Sequence, residues 1–145
     1  MKPHTDEEYS YRERLRDIVG SIDTDVDAVI VEGRDDMHVL RRLGLSVRVF
    51  RCGGRGHEQF CNDVARVSEK VVILTDFDEH GKELNKKFSR MLSGDVDIIS
   101  SYRRDFGKLL TSQDRYCVED IRPLFSSRVD KYIDATLDRL FTPYS

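Results

Sequence analysis

Asp76 and Asp78 stand two apart, with Phe77 between them, directly after the apolar run 71–74 and shortly before Gly81. Carboxylates at the exit of a buried strand suit a hard divalent cation such as Mg²⁺, which takes oxygen ligands and keeps several of its waters. Asp is equally at home as the N-cap of a helix, and a helical pattern does begin just after Asp78. Taken alone, the pair reads either way. A second stretch bears on the choice. The apolar run 28–31 also ends in an acid, Glu32. Gly33 follows, where a tight turn and a close backbone approach are possible, and Asp36 then falls near the start of a helix. In open α/β sheets, ligands bind outside the carboxyl ends of the strands. If the two runs form neighbouring strands, Glu32, Asp76 and Asp78 converge there.

The two stretches Glu32-Gly33-x-x-Asp36 and Thr75-Asp76-x-Asp78-x-x-Gly81 together resemble the signature of the Toprim domain. That domain is shared by topoisomerases, bacterial-type primases, certain nucleases and recombination proteins. The chain is most similar to small single-domain Toprim proteins of archaea and bacteria, described as primase-like or as related to ribosomal-RNA maturases. The resemblance covers roughly residues 25–125. Residues 116–121, Tyr-Cys-Val-Glu-Asp-Ile, are similar to a tail segment of the same proteins. The resemblance implies a Rossmann-like sheet, Mg²⁺ (or Mn²⁺) binding and phosphodiester chemistry on RNA or DNA. It makes Asp76 and Asp78 the first metal ligands and allows Glu32 to be a ligand or a general acid/base. Asp36 is a further metal candidate, and Asp35 is read as a helix cap.

Three activities are consistent with these acids: a small metal-dependent nuclease or related phosphotransferase, a primase-like nucleotidyltransferase, or a non-catalytic module that binds nucleic acid or a protein partner. The chain leaves no room for the tyrosine-bearing domain of a topoisomerase, and Tyr102 and Tyr116 are poor candidates for nucleophiles. The zinc- and helicase-binding domains of replicative primases are also missing.

Cations follow the acids. Lys82, Lys86, Lys87 and Arg90 recur on the helical pattern after Asp78, mostly near one face. Arg103, Arg104 and Lys108 lie in a polar segment just beyond a further strand. Lys82, Arg103, Arg104 and Lys108 are therefore the expected nucleic-acid contacts. A glycine-rich loop, 51–57, carries Arg55 and could turn backbone N–H groups toward a phosphate, although it reads as readily as a plain strand-to-helix connection. With a net charge of −3, nucleic-acid binding has to rest on such local patches or on metal-bridged phosphates.

The elements that must position these groups alternate. Helical spacing is expected over 9–19, an acidic turn over 21–27, and strands over 27–31, 46–50, 71–75 and 95–99. Helices are expected over 35–43, 57–69 and 79–92, with a last one over 127–140. Strands alternating with helices predict βαβ units in a mainly parallel four-stranded sheet covered on both faces. The expected organisation is a helical extension over 1–24, the Toprim-like domain over 25–125 and a terminal helix over 126–145 packing on it. At 145 residues, with 39% hydrophobic and 35% charged content, one domain with solvated helices is expected. Cys52, Cys61 and Cys117 show neither disulfide nor zinc spacing, which suggests reduced thiols in the cytoplasm. No apolar run is long enough for a membrane span.

Overall fold

The computed structural model describes residues 3–125; side chains are described from residue 7 onward. Four short strands, β1 (Ala28–Val31), β2 (Arg48–Arg51), β3 (Lys70–Ile73) and β4 (Asp97–Ile98), form an all-parallel sheet in the order β2-β1-β3-β4. Five helices connect or flank them: α1 (Pro3–Asp25), α2 (Arg34–Arg42), α3 (His57–Val67), α4 (Glu79–Leu92) and α5 (Ser100–Thr111). A 3₁₀ segment, Val118–Phe125, closes the described chain. This is a Rossmann-like α/β fold, and the expected strands and their parallel pairing are present.

Alternation along the central strands assigns the layers. Val29, Val31, Val72 and Leu74 face one core, shared with α1, α2, α5 and the 3₁₀ segment. Ala28, Ile30, Val71 and Ile73 face the other, shared with α3 and α4 through Phe60, Val64, Leu84, Phe88 and Leu92. Successive side chains of a strand point to opposite faces. A strand covered on both sides therefore needs an unbroken apolar run, which is how β1 and β3 read.

Two elements differ from expectation. Residues 21–27 are not an acidic turn: α1 continues to Asp25. Tyr11, Leu15, Val19, Ile22 and Val26 make one buried stripe, so the apolar spacing carries the helix past Gly20. That stripe lies in the main core, which makes α1 part of the domain rather than an appendage. The segment holding Arg103, Arg104 and Lys108 is also helical, with Phe106, Leu109 and Leu110 as its buried face. The helix expected over 127–140 lies outside the described residues.

Candidate functional site at the carboxyl edge

In this strand order the chain leaves β1 toward β2 through α2 on one face, and leaves β3 toward β4 through α4 on the other. The crevice where the winding reverses, between β1 and β3, is where such sheets place their ligands. Glu32 follows β1 and Asp76 lies three residues beyond β3, so both sit at this switch point. They are joined: the Asp76 backbone N–H donates to Glu32 Oε2 at 2.7 Å. Glu32 Oε1 lies 4.0 Å from Nε2 of the exposed His80.

The flanking backbone is held tightly. Leu74 N–H donates to the Ile30 carbonyl at 2.7 Å, and Gly53 N–H to the Glu32 carbonyl at 2.8 Å. A Cβ on Gly53 would meet that carbonyl oxygen at 2.6 Å, and one on Gly81 would lie 1.9 Å from the Asp76 carbonyl oxygen. Both glycines are demanded by close approach. Gly33 is different. Its backbone is extended (φ −142°) and its nearest contact would be Asp36 Oδ2 at 3.9 Å, so the tight turn expected there does not form. Its N–H instead donates to Asp36 Oδ2 at 3.0 Å.

The acids thus have unequal surroundings. Asp36 is buried, and burial raises its pKa, reinforced by Glu119 and Glu32. Asp76 is half-buried; burial first, then Glu32, Asp36 and Asp78, raise its pKa from 3.8 to about 8. Asp78 is exposed and caps α4, accepting from Gly81 N–H at 2.8 Å. The helix-cap reading therefore holds for Asp78. Glu119, in the 3₁₀ segment, is an acid that the spacing did not single out. Its approach to Asp36 depends on that segment packing against α2.

Arg103, expected among the nucleic-acid contacts, is 8% exposed and is held from within the fold, although it also borders the groove between α4 and α5. Its Nη1 donates to the carbonyls of Ile73 (3.1 Å) and Thr75 (2.8 Å), and its Nη2 to that of Asp76 (3.1 Å). The guanidinium lies 4.3 Å from the centre of the Phe77 ring. Burial lowers its pKa to about 10, with Asp76 and Glu32 acting in the opposite sense. Helix geometry explains the inversion, because the turn of α5 that exposes Arg104 and Lys108 points Arg103 at the end of β3. Lys82, Arg104 and Lys108 do converge, around a groove of about 440 Å³ between α4 and α5. Arg55 lies elsewhere, ion-paired with Asp63 and stacked near Phe60. The loop amides of Gly53 and Arg55 are spent on the carbonyls of Glu32 and Cys52, as in a plain connecting loop rather than an anion cradle.

Among the described residues, no group of three or more His, Cys, Asp or Glu side chains is gathered closely enough to cage a metal ion. What the edge offers is Glu32, Asp76 and Asp78 in an open arrangement. That donor set fits a hydrated Mg²⁺, which binds through one or two carboxylates and keeps its remaining waters. It does not fit a zinc-type site, which closes on three or four protein ligands.

No family model matches the chain. A UPF0292 protein of Pyrococcus furiosus is 34% identical over 118 residues, covering 79% of this chain and 81% of the relative. UPF0292 proteins of Thermococcus gammatolerans (33% identical, 78% and 79% covered) and Thermococcus onnurineus (30%, 77% and 84%) are also similar. A solved structure of a protein from Aquifex aeolicus superposes with a TM-score of 0.57 at 22% identity, over 77% of this chain and 95% of that one. It supports the fold alone.

Proposed function

The chain belongs to the UPF0292 family; from the geometry of its carboxyl edge we propose that it is a Mg²⁺-dependent protein of Toprim type acting on nucleic-acid phosphodiesters, as a small nuclease or related phosphotransferase. The observation that carries the proposal is the Glu32–Asp76 pair at the switch point of the sheet, hydrogen-bonded across β1 and β3. Carboxylates gathered this closely raise one another's proton affinity until a cation relieves them, and Asp76 has the raised pKa that such crowding produces.

Asp76 and Asp78 are the residues that would hold the ion, with Glu32 and Asp36 as further candidates. A bound Mg²⁺ supplies charge neutralisation on phosphate oxygens. The protein's own groups do the rest. Glu32, steadied through Oε2 by the Asp76 amide, keeps Oε1 to exchange a proton with the attacking or leaving oxygen. The Asp78 cap and the glycine contact at Gly81 keep residues 76–78 rigid, so the two aspartates stay in register. Lys82, Arg104 and Lys108 border the adjoining groove and would bind the phosphate backbone.

No described helix is long and apolar enough to cross a membrane. Cys52, Cys61 and Cys117 are all unpaired.

The test is incubation of the purified protein with labelled RNA and DNA, with and without Mg²⁺ or Mn²⁺ and nucleoside triphosphates. Shortened products that vanish on chelation are expected. Extended products would indicate nucleotidyl transfer instead, and binding without any product would reduce the protein to a non-catalytic module.

A further inference from the structure

We infer that the groove between α4 and α5 seats an unpaired nucleotide, so that the strand reaching the acidic edge is single-stranded. The inference rests on the nucleic-acid reading above and narrows its substrate class. Two independent features of the groove carry it.

The first is aromatic. Tyr116 is 49% exposed on the groove wall, one of the few large apolar side chains among the described residues to be so. Its main chain is pinned on both sides. The Phe77 N–H donates to the Tyr116 carbonyl, and the Tyr116 N–H donates to Asp120 Oδ2 at 3.2 Å. A fixed backbone thus presents a half-exposed aromatic side chain to the groove. Beneath it, the Phe77 ring is packed against Gly107, where a Cβ would come within 2.6 Å of the ring. The groove therefore offers the half-exposed Tyr116 ring as a wall on which a base can stack, above a Phe77 ring that is itself covered by Arg103 and Gly107. Bases within a duplex already stack on each other, whereas an unpaired base can stack on a protein ring.

The second is charge. Lys82, Arg104 and Lys108 border the same groove and are exposed. Lys82 and Lys108 have no ion-pair partner among the described residues, and Arg104 reaches only its neighbour Asp105, at 3.4 Å. A cationic rim over an aromatic surface is the arrangement by which proteins hold single strands, with phosphates on the rim and bases on the rings.

The groove adjoins the acidic turn through shared chain segments. Phe77, in its floor, lies between Asp76 and Asp78, and the Lys82 N–H donates to the Asp78 carbonyl one helical turn away, at 2.9 Å.

The test is fluorescence anisotropy in chelator, so that binding is read without turnover. The probes are labelled single strands of RNA and of DNA and blunt duplexes of the same sequences. Single strands are expected to bind about tenfold or more tighter than duplexes. Tyr116→Ala should weaken single-strand binding about tenfold, within the range for loss of one base–aromatic stack. Tyr116→Phe should retain it. Lys82→Gln with Lys108→Gln should lower affinity and flatten its salt dependence. Equal binding of duplex and single strand, or indifference to Tyr116→Ala in a variant whose melting curve is unchanged, overturns the inference. If the wild type cleaves nucleic acid while Tyr116→Ala handles both forms as the wild type does, this inference fails and the proposed activity stands. If single strands bind through Tyr116 but nothing is cleaved, the activity fails and the groove assignment stands. Failure of the wild type to bind any strand in chelator overturns this inference, while the cleavage assay with Mg²⁺ decides the activity separately.

Discussion

The Glu32 carboxylate accepts the backbone N–H of Asp76 at 2.7 Å across 44 residues of sequence, tying the ends of the two central strands together. One oxygen of Glu32 is thereby structural, and the other, 4.0 Å from His80 Nε2, is the one the proposed chemistry would use. Glu32→Gln keeps an acceptor for the amide but cannot take up a proton. It is expected to fold and to bind Mn²⁺ as the wild type does, yet to lose turnover. Glu32→Ala should also lose about 1–3 kcal/mol of stability, since it strands a partly buried amide. Calorimetric metal titration beside denaturant melts separates the two, and full activity in Glu32→Gln would remove Glu32 from the chemistry.

The raised pKa of Asp76 has a definite sign. Its folded value, about 8, lies above its ordinary 3.8, so folding favours the protonated form. The stabilisation from that proton is complete below about pH 4 and is lost as pH rises through 8. Over the same interval Mg²⁺ competes with the proton and should raise the melting temperature increasingly. Melting temperatures across pH, with and without Mg²⁺, should diverge in the wild type and run parallel in Asp76→Asn. Parallel curves in both would show that no ion binds at Asp76.

Arg103 serves the site from below. Its removal leaves the carbonyls of Ile73, Thr75 and Asp76 without their donor, at a cost of about 1–3 kcal/mol for each one left unsatisfied. Arg103→Ala should therefore destabilise the protein by at least about 3 kcal/mol in urea melts. Arg103→Lys should recover little of this, because an ammonium cannot reproduce the guanidinium fork. A surface arginine would cost less than about 0.5 kcal/mol, so a small effect would contradict the buried placement.

Gly81 tests the rigidity of the aspartate turn. A methyl group there collides with the Asp76 carbonyl, which is backbone and has little room to yield. Gly81→Ala should weaken metal affinity more than Gly20→Ala, where nothing lies within 4 Å. The Gly20 change should be neutral or slightly stabilising, since Ala is the better helix former. Equal metal affinity in the two variants would mean that the turn does not hold the ligands.

Much of this architecture was written locally. Unbroken apolar runs at 28–31 and 71–74 announced strands buried on both faces, and the acids following them marked the carboxyl edge, because burial on two sides and an abrupt polar exit both leave their trace in consecutive residues. Asp78 as a cap, and Lys82, Arg104 and Lys108 as exposed cations, were legible for the same reason. The remainder was decided by packing. The continuation of α1 to Asp25 follows from a core stripe that outweighs a glycine and an acidic stretch. Arg103 and Arg104 are adjacent and chemically alike; only the angle at which α5 crosses the end of β3 sends one beneath the site and leaves the other at its rim. Glu119 nears Asp36, 83 residues earlier in the chain, because the 3₁₀ segment packs on α2, and the proton affinity of Asp76 rises because the sheet order places β1 beside β3. Sequence spacing sets which face of an element a residue occupies, while proximity between distant carboxylates and the burial of a charge are properties of the assembled layers.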